Sequence, residues 1–169
     1  ELVRLDVDVI VTAGSGVIRA AGQATATIPI VFAATADPVE EGLVASLARS
    51  GGNVTGLATL AADLAGKRLE LLREVVPSLR RLAIMGNVGN PFILLELREV
   101  QAVAGTLGLE VLPFEIRGAQ DIAPAFEALK GRVDALYVCT DALATTNRIR
   151  INTLALGARL PTMHGTRDY

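Results

Sequence analysis

The sequence predicts an α/β protein with two doubly wound lobes, each built on a parallel sheet, with the first lobe incomplete in this chain. Three observations predict it. Short apolar runs rich in β-branched residues alternate with stripes of helical period along the whole chain, the pattern of parallel strands joined by right-handed helical crossovers. Four runs end abruptly in small and polar residues: Val9 to Ser15, Ile30 to Pro38, Leu82 to Asn90 and Ala135 to Asp141. Pro77 separates two rounds of the pattern, which gives part of an N-terminal lobe at 1–76 and a C-terminal lobe at 77–169, the latter incomplete at its end.

Val7 to Thr12 is β-branched and reads as the first strand. Gly14, Ser15 and Gly16 turn the chain into a short helix reaching about Ala24, with Ser15 as its N-cap. Ile30 to Ala34 is a continuous apolar run stopped by Asp37-Pro38, which predicts a strand buried on both faces. Val39 to Leu47 reads as a helix whose first turn carries Glu40 and Glu41, favourable to the helix dipole. Arg49 to Asn53 stops it, and Val54 to Leu57 is a short third strand. The next helix places Leu60, Leu64, Leu71, Leu72 and Val75 on one apolar face.

The second round opens with a strand at Leu82 to Met85. A polar turn follows, with Asn90 as N-cap and Pro91 at the first helical position. Ile93, Leu97, Val100, Ala104 and Leu107 form a helical stripe that Gly108 closes. Leu109 to Ile116 is a strand, and Asp121 caps a helix carrying Ile122, Phe126 and Leu129. Val133 to Cys139 is the next strand, ended by Thr140-Asp141, and a helix runs to about Leu156. Leu160 to His164 is the last strand. Glu1 to Leu5 resembles the last turn of a helix and Tyr169 falls just past a strand, as expected of a fragment. The first round supplies only three strands, with no partner for an outer strand, so further strands are expected before residue 1.

The 169 residues are 51% hydrophobic and 20% charged, enough apolar material for a globular core. A net charge of −2 makes no electrostatic case for nucleic acid as a partner. No apolar run approaches the ~20 residues that cross a bilayer. Cys139 is the only cysteine; set in an apolar run, it reads as a buried inert thiol and excludes a cysteine metal cluster. No metal or cofactor is expected. Gly14 and Gly16 lack the third glycine of a dinucleotide fingerprint, where Arg19 stands, and Gly66-Lys67 lacks the upstream glycine and the Ser/Thr of a phosphate loop.

Ligands of open parallel sheets bind beyond the carboxyl ends of the strands, which singles out Thr35 and Asp37 and then the other strand ends. Ser15 at a helix start, with the free N–H groups there, suits a carboxylate or phosphate and reads equally as a plain cap. Asp37 reads as much as a turn former, and Asp141 as much as a helix cap, as either does as a ligand. Asn90 reads first as a cap. The arginines Arg80, Arg81, Arg148 and Arg150 read as a solvated surface.

Several segments resemble ABC-transporter substrate-binding proteins of the family that includes tryptophan-binding lipoprotein-like members. They are Val7 to Thr12, Thr27 to Ala33 with Asp37-Pro38-Val39, Gly42-Leu43-Val44 with Ser46 to Arg49, Gly51 to Gly56, Gly66 to Leu72, Asn90-Pro91, and Asp134-Ala135-Leu136 leading to Asp141. The resemblance runs over essentially the whole chain and is dense in the first 76 residues. It implies a type I periplasmic-binding fold, a periplasmic or lipid-anchored surface location, and capture of a small solute between two lobes for a membrane permease. It also implies an N-terminal signal, two earlier strands and a C-terminal return to the first lobe.

Carried over residue by residue, Ser15, Gly16, Ala34, Thr35, Asp37, Asn87, Asp141 and His164 fall on the strand ends that line the family's cleft. The residues at these positions suit an amino acid or a related carboxylate, with an anionic group at the Ser15 hydroxyl and the nearby N–H groups, an ammonium at Asp141 or Asp37, and Asn87 and His164 as further contacts. The chain departs from the family at Gly16, often proline, at Gly86-Asn87-Val88-Gly89, commonly Trp-Asn-Pro-small, at Asn147, frequently histidine, and at His164, often aromatic. The rival readings are the effector domain of a transcription regulator, which shares the two-lobed fold, and an α/β enzyme, for which no nucleophile elbow or metal-ligand pair is present in the sequence.

Overall fold

The computed structural model describes every residue except 1, 6, 36, 59–62, 91–92 and 166–169. Its contacts divide the chain into two compact units, Glu1–Leu60 and Ala61–Tyr169.

In the first unit a 3-10 turn, Leu2–Leu5, precedes β1 (Ile10–Thr12), α1 (Ser15–Ala24), β2 (Ile30–Thr35) and β3 (Val54–Ala58). The strands form one parallel sheet in the order β1-β2-β3. Ile18, Phe32 and Val44 make its core, with Leu43 and Val54 packed against them. Gly56 is required where β3 passes Phe32, because a Cβ there would lie 2.1 Å from the Phe32 carbonyl oxygen.

Two expectations fail in this unit. β2 is not buried on both faces: Phe32 is inside, but Val31 is 37% exposed, as are Val11 at 70% and Leu57 at 71% on the neighbouring strands. The core cluster of the unit is built on α1 and the 43–44 segment and covers one face. Residues 39–47 are turns and bends rather than a helix. Gly42 takes a left-handed conformation at φ 66°, and the N–H groups of Leu43 and Val44 both return to the Pro38 carbonyl, so the chain closes one turn and leaves it.

The second unit contains α2 (Ala65–Val75), β4 (Arg81–Asn87), α3 (Ile93–Thr106), β5 (Glu110–Ile116), a 3-10 turn (Ala119–Asp121), α4 (Ile122–Leu129), β6 (Ala135–Val138), α5 (Ala142–Thr146), α6 (Arg148–Gly157) and β7 (Thr162–His164). Its parallel sheet has the order β5-β4-β6-β7. Helices cover both faces, which is why β4 and β6 are nearly uninterrupted apolar runs. Leu82, Ile84, Ala135 and Tyr137 join Leu69, Leu72, Ile93 and Val100 from α2 and α3. Ala83, Met85, Leu136 and Val138 join Ile122, Phe126 and Ile151 from α4 and α6. Phe114 and Phe126 meet edge to face at 5.3 Å, a favourable aromatic geometry.

Several local expectations are corrected. α2 turns Leu69 and Leu72 inward while Leu64, Leu71 and Val75 are exposed, and Arg68 shares the buried face; Leu60 lies outside the described residues. Asp121 accepts from the N–H groups of Arg117 and Gly118 and so closes the 3-10 turn, with no side-chain bond capping α4. The helix after Asp141 is two helices, broken at Asn147, whose Nδ2 donates back to the Leu143 carbonyl at 2.9 Å. Arg81 is not simply solvated: it pairs with Asp134 at 2.7 Å, and Asp134 also accepts from the Arg80 and Arg81 N–H groups, joining the starts of β4 and β6 and holding the Asp134 carboxyl below its ordinary value. Pro91 lies outside the described residues.

The chain reverses direction of travel across the sheet between β4 and β6. Crevices at such reversals, beyond the carboxyl ends of the strands, are the usual ligand sites of open α/β sheets. Here those ends carry Asn87 and the Thr140-Asp141 turn.

Candidate functional site

At the carboxyl ends of β1 and β2 the first unit assembles Ser15, Thr35, Asp37 and Glu41. Ser15 is the first residue of α1 and Gly14 its N-cap, at φ 84°. The Ser15 hydroxyl therefore does not cap the helix; it lies 3.0 Å from the Thr35 hydroxyl. Thr35 donates to Glu41 Oε2 at 2.6 Å, and Glu41 Oε1 accepts the Asp37 N–H at 3.3 Å. Ser15, Thr35 and Glu41 are 9%, 5% and 7% exposed, a chain of two hydroxyls running into a buried carboxylate. The Arg19 guanidinium donates to the Glu41 backbone carbonyl. Asp37 Oδ1 accepts from Val39 and Glu40, the turn-forming role weighed from the sequence. Gly16 is exposed in the first turn of α1, and Ala34 lies within β2.

In the second unit Asp141 is the N-cap of α5, its Oδ1 accepting the Leu143 N–H at 2.8 Å. The same oxygen accepts from Asn87 Nδ2 at 3.1 Å and Oδ2 accepts from Asn90 Nδ2 at 2.9 Å. Asp141 is thus both a cap and the centre that gathers the two asparagines. Asn87 Oδ1 accepts the Gly89 N–H, which fixes the orientation of its amide.

Behind this turn lies a buried network that the sequence reading did not identify. Glu96 Oε1 accepts from Arg68 at 3.2 Å and from the Tyr137 hydroxyl at 3.1 Å, and Oε2 accepts the Thr140 N–H at 2.9 Å. Arg68 also donates to the Gly165 carbonyl at 2.9 Å. Burial pushes the Glu96 carboxyl above its ordinary value, against the pull of Thr140, Arg68 and Tyr137; burial likewise raises Tyr137. The group fixes the residue before Asp141 and the residue after His164 in one arrangement. Gly165 is needed there, since a Cβ would fall 1.9 Å from the Thr140 hydroxyl.

His164 is half-buried, its Nε2 lies 3.2 Å from the Thr162 hydroxyl, and burial lowers its pKa to about 4, so the ring is neutral at pH 7. Cys139 is buried and its thiol is pushed well above the ordinary value, as an inert thiol should be. A cavity of about 330 Å³ lined by Val76, Ser78, Lys130, Asp134 and Arg159 lies at the opposite end, where β4 and β6 begin.

The structure therefore joins Ser15 to Thr35 in one unit and Asn87 to Asp141 in the other. It adds Glu41, Asn90, Arg68, Glu96 and Tyr137, and for Arg68 and Glu96 the sequence held a signal. Arg68 falls in phase with Ala65, Leu69 and Leu72, and Glu96 in phase with Ile93 and Val100. A charge on the apolar phase of a helix points to a buried partner.

All of residues 1–169 match the family described as ABC transporter substrate binding protein. The chain belongs to this family. The Tyrosine-binding protein of Clostridioides difficile is 32% identical over 144 residues, 85% of this chain and 41% of that protein. A conserved domain protein of Vibrio cholerae superposes with a TM-score of 0.90 at 27% identity, over 99% of this chain and 56% of its own. An ABC domain from Streptococcus pneumonia in complex with L-Trp shares the fold, with a TM-score of 0.83 at 22% identity over 95% of this chain and 54% of its own. This ABC transporter substrate-binding chain thus spans about half the length of the relatives it matches. Its parallel-sheet α/β fold, expected from the sequence, is the one those structures share.

Proposed function

We propose that the whole protein is the extracytoplasmic solute-binding component of an ABC-type importer. Its solute is an amino acid or a related carboxylate, handed to a permease in the membrane, and the protein resides in the periplasm or lipid-anchored at the cell surface. The family match along all of residues 1–169 carries this reading, and the relative named for binding tyrosine supports the class of solute. The chemistry of the clusters agrees. The N–H groups of Ser15 and Gly16 belong to the first turn of α1, where backbone donors have no helical partner and the dipole favours an anion, which suits a carboxylate. Asp37 Oδ2 and the Ser15 oxygen offer acceptors to an amine, and Asp141 Oδ2, already bonded to Asn90, keeps an acceptor position for an ammonium in the second unit.

A thermal-shift screen of the full-length mature protein against amino acids, aromatic acids and other small metabolites tests this. A solute at a hundredfold its dissociation constant stabilises the fold by about 2.7 kcal/mol. The expected result is a raised melting temperature with one or more α-amino acids. Hits confined to carboxylates without an amine would keep the transport role and remove the ammonium sites. No shift with any member of the panel would contradict the proposed class of solute.

A further inference from the structure

We propose that Glu41 is a positioning residue: through Thr35 it fixes the hydrogen-bond polarity of Ser15 and makes the first unit's cluster select an amine-bearing solute. The inference rests on the solute-binding reading above and adds a selectivity that nothing in that reading requires.

A hydroxyl has one proton to give. Thr35 gives its proton to Glu41 Oε2, 2.6 Å away, because an ionised carboxylate only accepts. The 3.0 Å contact between Ser15 and Thr35 must then be made with the Ser15 proton. The chain runs one way, from Ser15 to Thr35 to Glu41, and Ser15 is left with lone pairs and no proton. An ammonium meets those lone pairs without disturbing anything. A carboxylate at the Ser15 oxygen has to break the Ser15–Thr35 bond and also approaches the Glu41 charge. All three residues are more than nine-tenths buried, so water competes weakly and the order of the chain is felt strongly. The carboxyl end of the solute is left to the backbone N–H groups of α1.

Replacing one atom reverses the chain. In Glu41→Gln the amide oxygen still accepts the Asp37 N–H, while the amide nitrogen, at the position of Oε2, donates to Thr35. Thr35 then donates to Ser15, and the Ser15 proton turns outward. Thr35→Val cuts the chain at a second point and also frees that proton, whereas Thr35→Ser keeps it intact.

The experiment is calorimetric titration of the full-length protein and these three variants, each checked for folding by circular dichroism. The probes are L-tyrosine and 3-(4-hydroxyphenyl)propionate, which has the same skeleton without the amine. The native protein and Thr35→Ser are expected to favour L-tyrosine by the same factor, and Glu41→Gln and Thr35→Val to reduce that factor about tenfold, the worth of ~1.4 kcal/mol. A preference unchanged within twofold in Glu41→Gln or Thr35→Val overturns this inference and leaves the solute-binding reading standing. Binding of neither probe by the native protein, or binding without a preference for L-tyrosine, also overturns this inference, while the solute-binding reading stands or falls with the thermal-shift panel.

Discussion

In the first unit the carboxylate of Glu41 is held by a hydroxyl and a backbone N–H, and in the second the carboxylate of Asp141 is held by two amides and a backbone N–H. Both lie near a strand end, and both are buried. They finish differently. Glu41 passes its demand for a proton through Thr35 to Ser15, so the group left at the end of the line is a neutral hydroxyl with its lone pairs free. Asp141 satisfies most of its own demand locally, and its charge is used to cap α5 and to align Asn87 and Asn90. If the proposed site is right, the difference teaches that a carboxylate need not itself be the group offered to a ligand; the partners it commits decide what remains to be offered. Behind Asp141 the second unit adds a buried ion pair, Arg68 with Glu96. Glu41 instead accepts from neutral donors, the Thr35 hydroxyl and the Asp37 N–H, and Arg19 donates to its backbone carbonyl.

That contrast makes the two regions respond differently to substitution. The largest effect is expected at the ion pair. Arg68→Met leaves Glu96 buried without its cation and should destabilise the protein by about 3–5 kcal/mol, read as a lowered urea midpoint; a loss below about 1 kcal/mol would mean the pair is not insulated from water. Next comes Asp141→Ala, which removes the cap and takes one acceptor from each of the Asn87 and Asn90 amides. It should cost about 2 kcal/mol in the same assay, and Asp141→Asn, which keeps an acceptor for Leu143, about half of that.

A pH effect of smaller size separates the units again, because the chain's one histidine lies in the second. The His164 pKa is lowered to about 4 in the folded protein, against ~6.5 in an unfolded chain. Below about 6.5 the unfolded state takes a proton that the folded ring refuses, so stability is full above that pH, falls as the pH drops, and levels off near 4. His164→Gln should flatten that part of the stability profile; an unchanged profile would show that the ring titrates normally. The smallest effect is expected in the first unit. Glu41→Gln keeps a partner for Thr35 and for Asp37, and Ser15→Ala removes one neutral hydrogen bond, so each should cost about 1 kcal/mol or less. A larger loss would make the hydroxyl chain a structural element rather than a binding one.

Much of this was legible in the sequence, and the rest was not for identifiable reasons. The strand ends at Thr35, Asn87 and Asp141 could be placed because an apolar run stopped by small and polar residues is a strong local signal. The segment at 39–47 reads as a helix because acidic residues before an apolar pair mimic a helix start, while the left-handed Gly42 that breaks it goes with the return of the Leu43 and Val44 N–H groups to the Pro38 carbonyl. Ser15 was read as a cap because sequence shows a hydroxyl before a helix but not a threonine 20 residues away. The exposed face of β2 escaped notice because a continuous apolar run looks the same whether one face or two are covered. Glu41, Arg68, Glu96 and Tyr137 were missed because long-range pairs between 28 and 69 residues apart, like the turn that folds Glu41 back on Thr35, leave no local pattern beyond a charge in the wrong phase.

The most direct test of the account is calorimetric titration of the full-length protein and its Ser15→Ala variant with L-tyrosine and L-tryptophan. The account predicts saturable one-to-one binding of at least one of them to the native protein. In Ser15→Ala, folded and nearly as stable, that binding should be weaker by about tenfold, the worth of a hydrogen bond to a charged group. Equal affinity in the two proteins would take Ser15 and its hydroxyl chain out of the site, and no binding of either amino acid by the native protein would contradict an aromatic amino acid as the solute.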